Sequence, residues 1–170
     1  MNRSLFFALV LASLASQVIA QEETIGVPLG SVITTPIPVQ DIDGNPVNLA
    51  DYIGKKPAVV EFWATWCALC SKLMPQLQDA KAKHGDNVEI LIVAVGVGQS
   101  RNSVKRHVSE HAMPGRVFFD ATGAATRAFE APSTSYVVAI DAKGKVTYTG
   151  LGDKQKIEVA VQRAVGRIGG

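Results

Sequence analysis

The chain has 170 residues and a mass of 18.0 kDa, with 47% apolar and 19% charged residues, a composition typical of one ordinary globular domain. This excludes a long disordered tail, a repeat array and a multidomain enzyme. The 17 basic and 15 acidic residues leave a net charge of +2, so no large basic field indicates nucleic acid or an anionic membrane surface as a partner.

The first twenty residues predict a secretory signal peptide. Arg3 supplies a short positive region, residues 5–14 form an almost unbroken apolar run, and Val18 and Ala20 fit a signal-peptidase site before Gln21. The alternative is that the same apolar stretch is retained as an N-terminal membrane anchor. We expect cleavage and a mature protein that is soluble in the periplasm.

A leader and a βαβ unit follow along the chain. Residues 21–36 contain glycine and proline with little periodicity, which predicts an irregular leader before a domain that spans residues 37–170. A hairpin is predicted within residues 38–47. Residues 58–63 and 88–95 are apolar and rich in β-branched side chains, as in parallel strands buried on both faces, and apolar residues at helical spacing lie between them.

The second half of the domain predicts further helices and strands. These are a polar helix over about 100–111, a short strand at 117–119, a short helix at 124–129, an antiparallel hairpin over 136–149 and an amphipathic helix over 153–167. The pattern predicts an α/β domain, in which a βαβ unit of parallel strands covered by helices is followed by an antiparallel hairpin and a final helix.

Two cysteines, Cys67 and Cys70, directly follow the first buried strand and open a helix. A helix N-terminus offers unpaired N–H groups and a partial positive charge, both of which stabilise a thiolate. We therefore expect Cys67 to be the nucleophile that attacks a disulfide and Cys70 to be the buried thiol that resolves the mixed disulfide. This predicts a protein thiol-disulfide oxidoreductase whose redox-active cysteine pair needs no other cofactor.

Other uses of the cysteine pair are possible. A structural disulfide that closes a loop of two intervening residues would stabilise the fold little, and a zinc site would lack two ligands. A third alternative is a binding protein in which Cys67 and Cys70 hold Cu(I) as thiolate ligands and deliver it to a partner.

The stretch Glu61-Phe-Trp-Ala-Thr-Trp-Cys-Ala-Leu-Cys70 resembles the active-site segment of thioredoxin-fold proteins, and in particular the extracytoplasmic TlpA/ResA-type thiol-disulfide oxidoreductases. The resemblance covers most of residues 25–165. It implies a thioredoxin-like fold, in which a central mixed sheet flanked by helices carries an N-terminal hairpin extension and an inserted segment between the βαβ unit and the closing ββα unit. It also implies protein substrates and a reductant role fed by a membrane-embedded thiol reductant. Leu69 stands where the family more usually has proline, which leaves the reduction potential open, and a disulfide-forming oxidase is the alternative direction.

Glu61 lies inside the first buried strand, six residues before Cys67. A carboxylate between Val60 and Phe62 is poorly solvated, so its pKa should be raised. The resemblance implies that Glu61 moves protons to or from the inner cysteine. The alternative is a glutamate that reaches solvent or accepts a structural hydrogen bond.

The family also carries a cis-proline that faces the cysteines and exposes a backbone edge to the substrate. Pro132-Ser133-Thr134 resembles its signature, so the resemblance implies that Pro132 and Thr134 contact substrate. Counting back from the turn at residues 141–144 without gaps places Ser135 in the proline position instead. We favour Pro132 because cis bonds are essentially confined to proline.

Three further side chains are candidates for a functional role. Trp66, beside the nucleophile, is a candidate substrate contact, although it could equally pack against the fold. His107 and His111 lie four residues apart on a predicted helix and could hold a metal, but a polar helix face explains them more simply, and we expect no metal site.

Overall fold

The computed structural model describes residues 25–168, so the predicted signal peptide lies outside the described residues. Seven strands and four α-helices are present in that range. They are β1 (Pro38–Asp41), β2 (Pro46–Asn48), β3 (Ala58–Trp63), α1 (Ala68–His84), β4 (Glu89–Val95), α2 (Arg101–Glu110), β5 (Arg116–Asp120), α3 (Ala124–Ala128), β6 (Tyr136–Ile140), β7 (Val146–Leu151) and α4 (Ile157–Ala164). Short 3₁₀ helices follow β2 and α1, at Leu49–Tyr52 and Gly85–Asn87.

All seven strands form one mixed sheet in the order β2-β1-β5-β4-β3-β6-β7. Strands β3, β4 and β5 are parallel, whereas β1, β2, β6 and β7 pair antiparallel with their neighbours. The fold class predicted from the sequence, a mixed sheet flanked by helices with an N-terminal hairpin and an insertion before the closing ββα unit, is confirmed.

The centre of the sheet is apolar on both faces. Every residue of β3 and of β6 is buried, as are all but the first residue of β4. This is the pattern expected of strands covered on both sides, and it explains why their sequences are nearly continuous runs of apolar residues. Helices α1 and α4 contact each other, and α4 also contacts β3, β6 and β7.

Strand β3 lies between β4 and β6 in the sheet, and the chain leaves its carboxyl end at Trp63 to enter α1 at Ala68. In α1, Leu73, Leu77 and Ala80 are buried and the intervening polar side chains are exposed or half-buried. Burial of this apolar stripe fixes the helix against the sheet, and therefore fixes the N-terminus of α1 just beyond the end of β3.

The closing helix is shorter than predicted. We expected it to begin near residue 153, but α4 begins at Ile157. The residues before Ile157 belong to the loop that follows β7. In that loop the Gln155 side-chain amide donates to the carbonyl oxygens of Ser135 and Gly152, at 2.9 and 2.7 Å. The prediction was wrong there because a polar side chain that bonds to distant backbone competes with helix formation.

Candidate active site

Cys67 and Cys70 form a disulfide at the N-terminus of α1. Cys67 is the N-cap residue, and its Sγ accepts a hydrogen bond from the backbone N–H of Cys70 at 3.1 Å. Cys70 is fully buried and Cys67 retains a small exposed fraction. The geometry therefore places Cys67 as the sulfur that a partner can reach, with a backbone donor ready to stabilise its thiolate when the disulfide opens.

Glu61 lies fully buried in β3, and neither of its carboxylate oxygens has a hydrogen-bond partner. Burial disfavours the charged form and raises the pKa of Glu61 to about 8. The next residue along the strand, Phe62, has its carbonyl oxygen 3.9 Å from Cys70 Sγ. Glu61 and the carbonyl group nearest the inner sulfur therefore belong to neighbouring residues of β3, and proton transfer between Glu61 and Cys70 stays a prediction.

The expectation of a cis bond before Pro132 is wrong, since residues 25–168 contain no cis peptide bond. Ser135 lies next to the cysteines instead: its N–H donates to the Phe62 carbonyl oxygen at 2.7 Å, the same oxygen that Cys70 Sγ approaches. Ser135 is the residue that the gap-free count from the hairpin turn places in the proline position.

Ser135 itself has an unusual environment. It is fully buried, its backbone is left-handed with φ of 65°, and its hydroxyl has no hydrogen-bond partner. Pro132 is exposed, and together with Thr134 it lines a cleft on the side of Trp66. Contact of Pro132 and Thr134 with substrate stays a prediction.

Trp66 stands beside the disulfide with 53% of its surface exposed. Its indole Nε1 donates to the carbonyl oxygen of Val97 at 3.1 Å, in the loop after β4. Leu69 and Val97, 44% and 73% exposed, extend the apolar surface around the sulfurs. The cleft of about 520 Å³ that Trp66 borders runs between this loop and the segment that carries Pro132. Such a surface suits contact with another polypeptide.

The histidine pair has a packing role. The rings of His107 and His111 stack with their centroids 4.1 Å apart, and His107 also packs on the buried Trp63. Burial lowers the pKa of His107. Among the residues that the structure describes, no group of three or more His, Cys, Asp or Glu side chains lies close enough to hold a metal ion.

Two polar residues near the site were not among the candidates that the sequence indicated. Asp120, at the end of β5, is buried and accepts hydrogen bonds from the backbone of Ala125 and from both the backbone and the hydroxyl of Thr126, which holds the start of α3. Gln99 bridges the loop after β4 and the segment before Cys67. For Asp120, the position of an aspartate shortly before a glycine turn is a weak sequence signal. For Gln99, a single glutamine in a loop gives no signal.

Comparison with known proteins identifies the family. The redoxin family model matches residues 31–165, and the chain therefore belongs to the redoxin family. The ResA thiol-disulfide oxidoreductase of Geobacillus thermodenitrificans is 30% identical over 149 residues, which is 85% of this chain and 82% of that protein. The thiol-disulfide oxidoreductase YkuV of Bacillus subtilis is 33% identical over 89 residues, 49% of this chain, and the match spans only 59% of its length.

Solved structures agree on the fold. A Chlorobium tepidum protein, provisionally described as a thiol:disulfide interchange protein DsbE, superimposes with a TM-score of 0.70 at 22% identity, over 81% of this chain and 98% of that one. The predicted resemblance to TlpA/ResA-type proteins is confirmed at the level of family and fold. Between residues 25 and 168, no helix combines the length and the apolar composition that crossing a membrane requires.

Proposed function

We propose that the protein is an extracytoplasmic thiol-disulfide oxidoreductase that reduces disulfides in protein substrates and is itself reduced by a membrane-embedded thiol reductant. The observation that carries the proposal is the Cys67–Cys70 disulfide at a helix N-terminus, beside a strand that buries an unpartnered carboxyl, Glu61. The names of the ResA and YkuV relatives support the activity. The predicted signal peptide supports the location, and the family resemblance supports the direction.

The reaction begins from the reduced pair. The Cys67 thiolate attacks one sulfur of a substrate disulfide, which forms a mixed disulfide and releases the other substrate sulfur as a thiolate. Cys70, once deprotonated, attacks Cys67 Sγ, which closes the Cys67–Cys70 disulfide and releases the second substrate sulfur. Two electrons pass to the substrate, whose two thiolates take up protons. The cysteine pair carries both electrons, so this reaction requires no further cofactor.

Glu61 supplies and accepts the proton of the inner cysteine. With a pKa of about 8, its carboxyl is protonated at neutral pH in the disulfide form. When a donor thiolate attacks Cys67, Cys70 leaves as a thiolate in an apolar environment, and a proton from Glu61 neutralises it. When the reduced protein acts on a substrate, the Glu61 carboxylate takes the proton from the Cys70 thiol before Cys70 attacks the mixed disulfide.

The exposed apolar surface around the sulfurs supports protein substrates. Trp66 and Leu69 lie within two residues of Cys67 in the chain, Val97 accepts the hydrogen bond of the Trp66 indole, and all three side chains are exposed. The cleft beside Trp66 is large enough for a few side chains of an extended segment. A deep enclosed pocket would be expected for a small-molecule thiol, whereas this cleft is open.

The direction is tested by two measurements on the purified protein. The reduced protein should reduce insulin disulfides, and its equilibrium with glutathione should give a potential well below the value of about −120 mV found for the oxidase DsbA. Cys67→Ser is the control and should abolish insulin reduction. A potential near that of DsbA would contradict the reductant role. Absence of insulin reduction by the wild type, together with Cu(I) binding that Cys67→Ser removes, would contradict the enzyme assignment.

A further inference from the structure

The side-chain amide of Gln99 joins two segments that meet at the active site. Its Oε1 accepts a hydrogen bond from the backbone N–H of Thr65 at 2.9 Å, and its Nε2 donates to the carbonyl oxygen of Val95 at 2.7 Å. Both distances are those of good hydrogen bonds, and Gln99 is half-buried. One side chain therefore uses its acceptor on the chain after β3 and its donor on the end of β4.

These two hydrogen bonds lie where the pairing of strands β3 and β4 ends. Strands β3 and β4 are parallel, and their last paired residues are Trp63 and Ala94. Thr65 and Val95 lie just beyond that pair, where the backbone of one strand can no longer reach the other. A primary amide carries the same donor and acceptor as a peptide group, so Gln99 inserts an amide between the two strands and extends their ladder by one step.

The contact that Gln99 makes with Thr65 lies two residues before the nucleophile, Cys67. The N–H of Cys67 donates to the carbonyl oxygen of Ala64 at 3.0 Å, so the chain turns tightly from the end of β3 into α1. Thr65 lies inside this turn. The same loop also contains Val97, whose carbonyl oxygen accepts a hydrogen bond from the Trp66 indole N–H. Two side-chain hydrogen bonds therefore attach the turn to this loop.

We propose that Gln99 is a positioning residue for thiol-disulfide exchange, which holds the turn before α1 so that Cys67 Sγ stays in line with the backbone N–H of Cys70. The inference rests on the proposed function and deepens it. The Cys67 thiolate depends on that donor, at 3.1 Å in the disulfide form, and a hydrogen bond weakens steeply as its angle departs from linearity. Loss of the Gln99 amide removes one of the two side-chain hydrogen bonds that join this turn to the loop after β4.

Gln99→Met tests the proposal, because methionine keeps the length and the apolar stem of glutamine and lacks the amide. In the reduced full-length protein, alkylation of Cys67 by iodoacetamide is followed across the pH range, which reports the pKa of its thiol. We expect a rise of about half a pH unit, equivalent to about threefold less thiolate at a pH below the pKa, and a similar fall in the rate of insulin reduction. Gln99→Ala removes the same amide without added bulk and should give the same shift if the methionine variant folds poorly.

Gln78→Met is the matched control. Gln78 also donates its side-chain amide to a backbone carbonyl, that of Ala112 at 2.9 Å, but it lies on the exposed face of α1 away from the sulfurs. An unchanged thiol pKa in both folded Gln99 variants, or an equal change in Gln78→Met, would overturn the proposal. Alkylation needs no protein substrate, so a wild type that fails to reduce insulin contradicts the proposed function and leaves the comparison of thiol pKa values intact.

Discussion

Glu61→Gln should stabilise the oxidised protein at neutral and alkaline pH while it slows disulfide exchange. The carboxyl of Glu61 is fully buried and its pKa rises from 4.5 to about 8 on folding. An acid whose pKa is raised in the folded state holds its proton more tightly there than in the unfolded chain. Stability therefore falls as pH rises from 4.5 to about 8, and below 4.5 the effect is absent.

The size of the loss in stability follows from the rise in the pKa of Glu61. A rise from 4.5 to about 8 corresponds to about 5 kcal/mol of lost stability above pH 8, at about 1.4 kcal/mol for each pH unit, and to about 3 kcal/mol at pH 7. Glutamine is also a buried, unpartnered polar side chain but carries no charge at any pH. We expect wild type and Glu61→Gln to have nearly equal free energies of unfolding near pH 4.5, with the variant more stable by these amounts as pH rises.

Denaturant unfolding of the oxidised form, at several pH values between about 5 and about 9, measures the difference. Glu130→Gln is the matched control, because it makes the same substitution at an exposed position and removes no buried carboxyl, so it should not reproduce this gain. The same variants are assayed for reduction of the disulfide by a thiol donor, which should fall by about a hundredfold in Glu61→Gln, in the range expected for loss of a general acid. A stability difference that does not change with pH would refute the assignment of a buried, neutral carboxyl.

Three further substitutions give distinct results. Cys70→Ala should leave Cys67 in a stable mixed disulfide with substrate, visible by non-reducing electrophoresis, and a reaction that still turns over would contradict the resolving role of Cys70. Trp66→Ala should raise KM for a protein substrate about tenfold with little change in the rate of attack on a small disulfide, and equal losses on both would argue against a docking role. Asp120→Ala should lower the free energy of unfolding by about 2 kcal/mol through loss of the hydrogen bonds at the start of α3, and Asp120→Asn should lose less.

The sequence predicts the central strands closely for a physical reason. Residues 58–63 were expected to form a strand buried on both faces, and β3 has those bounds with all six residues buried. Its apolar and β-branched residues leave few alternatives, because any other placement would expose them to water. The position of Cys67 at the N-terminus of α1 follows from the same constraint, since the helix must start where the buried strand ends.

The parts of the site that could not be predicted depend on contacts between distant segments. The place of Ser135 beside the sulfurs follows from the register of β6 on β3, and residue type alone favoured Pro132. Gln99 acts through two backbone groups, one of them 34 residues away, and a glutamine in a polar loop carries no local sign of such a partner. Local sequence patterns specify burial and periodicity, but they do not specify which loops meet.

The N-terminal hairpin changes which strand forms the edge of the sheet. Without it, β5 with its Arg-Val-Phe-Phe-Asp sequence would present an unpaired backbone, and such an apolar edge is a template for aggregation. Pairing with β1 moves that edge to β2, which has only three residues and begins at Pro46. A proline cannot donate a backbone hydrogen bond, so on this side of the sheet the hairpin replaces a longer apolar edge with a short one that is a poor template for another strand.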